Sequence, residues 1–160
     1  MLQKLEKDAL RTALGRAHGE AQALGSPTVE AEHLLLALAA DEHHPTGRLL
    51  AESGLDHDAV RAALEQETER TLAAVGVDLS MFTFRETPGL PRRRPKLAAS
   101  TKRVIERAAR IMAARLDRRI TSSHLLLGIL RADVGTVPRA LAAADVDREA
   151  LAVRAERLLA

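Results

Sequence analysis

Cysteine, tryptophan and tyrosine are absent from the 160 residues, and phenylalanine occurs only twice. Without cysteine there is no disulfide, no thiol nucleophile, no iron–sulfur cluster and no thiolate zinc site. The same absence fits a reducing, cytoplasmic setting. With so few rings the core must be aliphatic, built from Leu, Ala, Val and Ile. Ala and Leu favour helix, and β-branched residues are scarce, which argues against an all-β fold. No run approaches the length of a membrane span, and the charged start MLQKLEKDALR is not a signal peptide. No G-x-x-x-x-G-K-[ST] loop is present to cradle phosphates, so no ATP hydrolysis is expected. No H-E-x-x-H pair occurs, and the adjacent His43 and His44 would diverge by about 100° on a helix. Neither metal nor cofactor is therefore expected. The serines, Ser26, Ser53, Ser80, Ser100, Ser122 and Ser123, stand in no nucleophile–base–orienter constellation, so the sequence reads as non-enzymatic.

What is present is globular in balance, at 46% hydrophobic and 29% charged residues. The net charge of +2 conceals an asymmetry. Residues 1–80 hold 7 Lys/Arg against 14 Asp/Glu, and residues 81–160 hold 17 against 8. The two halves can attract each other, or the basic half can meet an acidic partner. Its basic residues include Arg92–Arg94, Lys96, Lys102, Arg103, Arg107, Arg110, Arg115, Arg118 and Arg119. No aromatic residue interleaves them to stack bases, so a basic nucleic-acid-associated helical protein is only the alternative reading.

One unit is written twice. HLLL occurs at His33–Leu36 and at His124–Leu127, an offset of 91. Sliding residues 9–69 onto 100–160 without gaps gives 13 identities in 61 pairs, and the apolar positions stay in phase. Each unit reads as four helices. In the first, Leu5, Ala9, Ala13, Ala17 and Ala21 recur every fourth residue and predict a helix over about 3–23. Gly25 ends it, and Thr28 is placed to cap the next, about 29–40, whose HLLLAL run is apolar almost all round and belongs at the centre. Further helices follow at about 46–52 and 57–74, the last capped by Asp56. The second unit repeats this at about 100–115, 121–131, 136–143 and 148–159, with Asp147 as the matching cap. Residues 75–99 hold three prolines and no helical period, and read as an irregular linker. Met81–Phe84 suggests a short extended piece there, with Phe82 and Phe84 plugging the groove between the units or forming a docking patch. His33 and His124 read as structural residues bonded to the loop before their helices.

These features resemble the amino-terminal domain of Clp ATPases, the unfoldases that feed the Clp protease. The carrying text is Gly25, Val29 and Glu30-Ala31-Glu32-His33-Leu34-Leu35-Leu36-Ala37-Leu38. Its partner is Ile120, Thr121-Ser122-Ser123-His124-Leu125-Leu126-Leu127-Gly128-Ile129. The resemblance covers nearly the whole chain. It implies an all-α fold of two tandem four-helix repeats about a pseudo-two-fold axis, forming one domain over 1–160, as a protein without ATPase modules. It implies protein binding in cytoplasmic protein quality control, as substrate or adaptor receptor, accessory or decoy for a Clp unfoldase. The implied partners are substrate proteins, adaptors or peptide ligands, phosphoarginine-bearing ones among them. In relatives the Glu before the His helps to recognise phosphoarginine, which places Glu32 in that role, whereas Ser123 at the matching position carries no charge. The family's Phe-Thr opening is here Glu6-Lys7 and Leu97-Ala98, so one altered site at most is expected. The residues implied at ligand sites are Glu32, Lys7, Ser123, Lys102, Phe82 and Phe84.

Overall fold

The computed structural model describes residues 9–81 and 94–160. Among these, eight α-helices form two sets of four. The first set is α1 (Ala9–Ala23), α2 (Ala31–Ala39), α3 (Pro45–Glu52) and α4 (His57–Ala74). The second is α5 (Ala99–Ala114), α6 (Ser122–Leu130), α7 (Thr136–Ala143) and α8 (Arg148–Arg157). The part of the first expected helix before Ala9 lies outside the described residues, as do Phe82 and Phe84. None of the described helices is long and apolar enough to cross a membrane.

The boundaries follow from caps. Asp56 and Asp147 each accept a backbone N–H three residues on, from Ala59 at 2.8 Å and Ala150 at 2.9 Å. The His44 ring accepts from Thr46 N–H, with Pro45 at the first helical position. Left-handed residues close the helices: Gly25 at φ 67° and Gly54 at φ 75°.

The centre is α2 against α6, the two HLLL helices. Leu34, Leu35 and Leu36 and their counterparts Leu125, Leu126 and Leu127 have essentially no exposed surface. The remaining packing obeys the pseudo-two-fold. α1 lies on α2 as α5 lies on α6, and each hub helix also meets the other set's third helix, α2 with α7 and α6 with α3. α4 packs on α7 and α8 on α3, so the sets exchange contacts as well as abut.

Two expectations need correction. The linker is not irregular throughout: Leu79–Met81 is a 3-10 turn, so Met81 is not extended, and Lys96–Leu97 is a strand, β2. It pairs in parallel with β1 (Thr28–Val29), Thr28 opposite Lys96 and Val29 opposite Leu97. Thr28 is therefore a strand residue, and α2 is capped from Glu30.

Candidate functional site

The start of α2 is a polar junction under an apolar helix. The His33 ring accepts the Glu30 N–H at Nδ1, 2.9 Å away, so its proton sits on Nε2. The Glu30 carboxylate accepts from the Thr28 hydroxyl at 3.0 Å and from the Ser100 hydroxyl. The Ser100 hydroxyl oxygen also accepts Ala31 N–H at 3.0 Å, and the buried Thr101 hydroxyl donates to Val29 C=O at 2.6 Å. The first turn of α5 thus clamps the first turn of α2. Burial holds His33 below the usual imidazole range, against the pull of Glu30 and Glu20.

One residue before His33, Glu32 lies in the first turn of α2, where a negative charge suits the helix dipole. It is partly buried at the seam with the second repeat. Burial raises its carboxyl above the ordinary value and the Glu30 charge adds to that; Arg139 and the Thr136 side chain of α7 pull it down. Arg139 is itself half exposed and donates to Glu67 Oε1 at 2.5 Å. Glu67 is buried on α4, takes a second bond from the Thr71 hydroxyl at 3.1 Å, and is held below the usual carboxylate range chiefly by the Arg139 hydrogen bond. Arg139 therefore ties the repeats together through Glu67, and its charge is also felt at Glu32.

The pseudo-two-fold places Ser123 where Glu32 stands, but the result differs. Ser123 is buried, and its hydroxyl lies 3.2 Å from that of the buried Thr46 on α3. One hydroxyl donates to the other, and Ser123 itself offers no charge. Beside it, His124 repeats the His33 arrangement. Its Nδ1 accepts the Thr121 N–H at 3.1 Å, and its Nε2 donates to Asp117 at 3.1 Å. His33 and His124 are thus both tied to the residues that open their helices, as the sequence suggested.

The six residues singled out in the sequence are not brought together. Glu32 and Ser123 open different helices and face different neighbours. Lys102 is exposed on α5, beside the Ser100 and Thr101 that clamp α2. Lys7, Phe82 and Phe84 lie outside the described residues. Sequence reasoning missed Thr136 and Arg139 as the surroundings of Glu32. The signal was available in part, because the offset of 91 sets Arg139 on the identical Arg48. Among the described residues no group of three or more His, Asp or Glu is placed to hold a metal ion.

Comparison with known proteins agrees with this architecture. Three solved structures share the fold. The N-terminal domain of the caseinolytic protease associated chaperone ClpD from Arabidopsis thaliana matches with TM-score 0.68 at 24% identity, over 96% of this chain and 92% of that one. The Hsp104 N-terminal domain from Candida albicans matches with TM-score 0.62 at 14% identity, over 94% and 89%. A chain from a malarial protein secretion system matches with TM-score 0.61 at 17% identity, over 94% and 91%. Residues 7–144 match the family described as Clp repeat (R) N-terminal domain. With both HLLL helices at the hub and the match spanning most of its length, the chain belongs to the Clp N-terminal domain family.

Proposed function

We propose that this protein is a non-catalytic receptor for protein or peptide ligands in Clp-type protein quality control, with one working recognition point, at Glu32. The supporting observation is the partly desolvated Glu32 carboxylate with Arg139 and Thr136 beside it. A carboxylate can take a guanidinium in two parallel hydrogen bonds, and burial strengthens the pairing. Arg139 is already paired with Glu67, but its exposed half leaves guanidinium N–H groups that can also face a phosphoryl group on the same ligand. Phosphoarginine carries both groups. At the second position the uncharged Ser123 is occupied with Thr46, which favours one site per chain.

The test is a calorimetric titration with a phosphoarginine peptide. A saturable signal near one ligand per chain, lost in Glu32→Ala and kept in Ser123→Ala, is the expected result. No heat at millimolar ligand overturns the reading. The two repeats work here as one binding unit in the cytoplasm, either presenting substrates to a Clp unfoldase or competing with it for them. Adding the protein to an unfoldase–protease digestion of a tagged substrate separates these roles: the rate rises for an accessory and falls for a decoy.

A further inference from the structure

The pseudo-two-fold makes the α4–α7 seam and the α8–α3 seam copies of each other. Their charges do not match. In the α4–α7 seam Arg139 donates to Glu67. The offset of 91 sets Arg48 on Arg139 and Leu158 on Glu67. Arg48 therefore lacks the carboxylate that its twin uses, and a leucine stands in that place. Two further positions change in the same sense, because Ala63 and Gln66 of α4 correspond to Arg154 and Arg157 of α8. One acid is added, Glu52 where the second repeat has Ala143, and Arg154 already holds it at 3.0 Å.

These residues line one open groove of about 310 Å3. Arg48, Leu49 and Glu52 of α3 stand on one side, with Arg154, Arg157 and Leu158 at the end of α8 on the other. Arg154 is fixed across the seam, one terminal nitrogen on Glu52 and the other on the Ser53 hydroxyl at 2.8 Å. Arg48 and Arg157 are exposed, and among the described residues neither has an ion-pair or side-chain hydrogen-bond partner. Other cations are equally unpaired, Lys102 and Arg103 on α5 among them, and by themselves they mean nothing. Arg48 and Arg157 differ in converging with Arg154 on one groove, at a seam whose twin is supplied with a buried carboxylate.

We propose that the α3–α8 groove binds a phosphate monoester through Arg48, Arg154 and Arg157. Three guanidinium groups face one carboxylate, which leaves room for a dianion. A phosphate ester carries a charge of about −1.5 to −2 near pH 7 and three acceptor oxygens, so it can engage more than one planar fork. A carboxylate has one charge and two oxygens, and a single arginine suffices for it. Leu49 and Leu158 give the groove apolar sides for the carbon that bears the ester. The ester belongs either to a phosphorylated protein side chain or to a free small molecule, and the chemistry that holds it is the same. The ligand needs no guanidinium and touches nothing at Glu32, so this site stands or falls independently of that one.

The test is fluorescence anisotropy with a labelled peptide carrying one phosphoserine among neutral residues, beside its unphosphorylated version. The phosphopeptide is expected to bind saturably, more weakly as salt rises. Its affinity should fall by at least about tenfold in Arg48→Gln/Arg157→Gln. Leu158→Glu, which restores the carboxylate of the twin seam, should weaken it as well. Lys102→Gln/Arg103→Gln removes the same charge from α5 and should change affinity by less than about twofold, and Glu32→Ala should leave it unchanged. All the replaced side chains are exposed, and circular dichroism confirms that each variant is folded. Unlabelled glycerol phosphate then assigns the source. Displacement at concentrations near the peptide's own Kd points to a free ester, and displacement by unlabelled phosphopeptide alone points to a protein side chain. Equal binding of the unphosphorylated peptide overturns the proposal. So does an equal loss in the two double variants, which would mean net charge alone, and so does the absence of saturable binding at millimolar phosphopeptide.

Discussion

Leu116 and Asp145 hold left-handed backbone, at φ 60° and 55°, and the offset of 91 sets them on Gly25 and Gly54. The first repeat fills both helix ends with the residue that has no Cβ to clash; the second does not. An L-residue there costs about 1–2 kcal/mol. Leu116→Gly should therefore stabilise the protein by about 1 kcal/mol, allowing for the extra freedom glycine gives the unfolded chain, as read by urea unfolding. Gly25→Leu should cost a similar amount. The titrations of His33 and Glu32 have opposite signs. Burial lowers His33 from 6.5, so the folded state favours its neutral form. Stability is full above pH 6.5 and falls as the pH drops from there toward the lowered folded value, because the unfolded chain takes up the proton first. His33→Gln, which keeps a side-chain acceptor, should flatten this arm of the stability–pH curve. Glu32 is raised from 4.5, so its contribution is present below that value and is lost as the pH rises through the folded one. Glu32→Gln should leave stability at pH 7 equal or higher while abolishing guanidinium recognition. A variant that loses both would show Glu32 to be structural.

Helix text was legible where a period of 3.6 ran for several turns, and it failed where structure depended on distant partners. The β1–β2 pair has two residues per strand, too few to show alternation, and β2 follows Arg92-Arg93-Arg94-Pro95, which reads as loop. What holds it is long-range: Lys96 N–H bonds Pro27 C=O and Ala98 N–H bonds Val29 C=O. Thr28 looked like the cap of α2 because threonine is a common cap, yet Glu30 occupies that position with His33 closing the turn three residues on. The second repeat holds the clue, since Thr121 and His124 repeat the spacing. Ser123 was legible as an uncharged departure, but nothing in the sequence shows that Thr46 covers it. The crossing of α5 and α6 gives a sharper test. A Cβ on Gly128 would lie 2.6 Å from the Val104 carbonyl oxygen, which is backbone and cannot swing aside. Gly128→Ala should cost about 1–3 kcal/mol by urea unfolding, despite alanine's better helix propensity. The first repeat has Ala37 at this position, so the α1–α2 crossing tolerates the methyl group that the α5–α6 crossing excludes.

Across the whole molecule, the acidic first half and basic second half do meet as the charge count anticipated. The ion pairs found between the repeats join an acid of the first to an arginine of the second: Glu67 with Arg139 and Glu52 with Arg154. The question is whether these charges or the apolar hub hold the repeats together. Exposed pairs contribute about 0–1 kcal/mol each and are screened by salt. The Arg139–Glu67 pair has one buried end, which makes it the stronger of the two, but its arginine remains half in water. Against this, Leu126 on the hub helix α6 has no exposed surface, and truncating a buried leucine costs about 2–5 kcal/mol. Leu126→Ala should therefore lower unfolding stability by more than raising NaCl to about 1 M does, with urea as denaturant so that ionic strength is controlled separately. A salt effect as large as the leucine truncation would mean that charge assembles the molecule. A small one leaves the aliphatic hub as the holding element and frees the surplus positive charge of the second half for a partner.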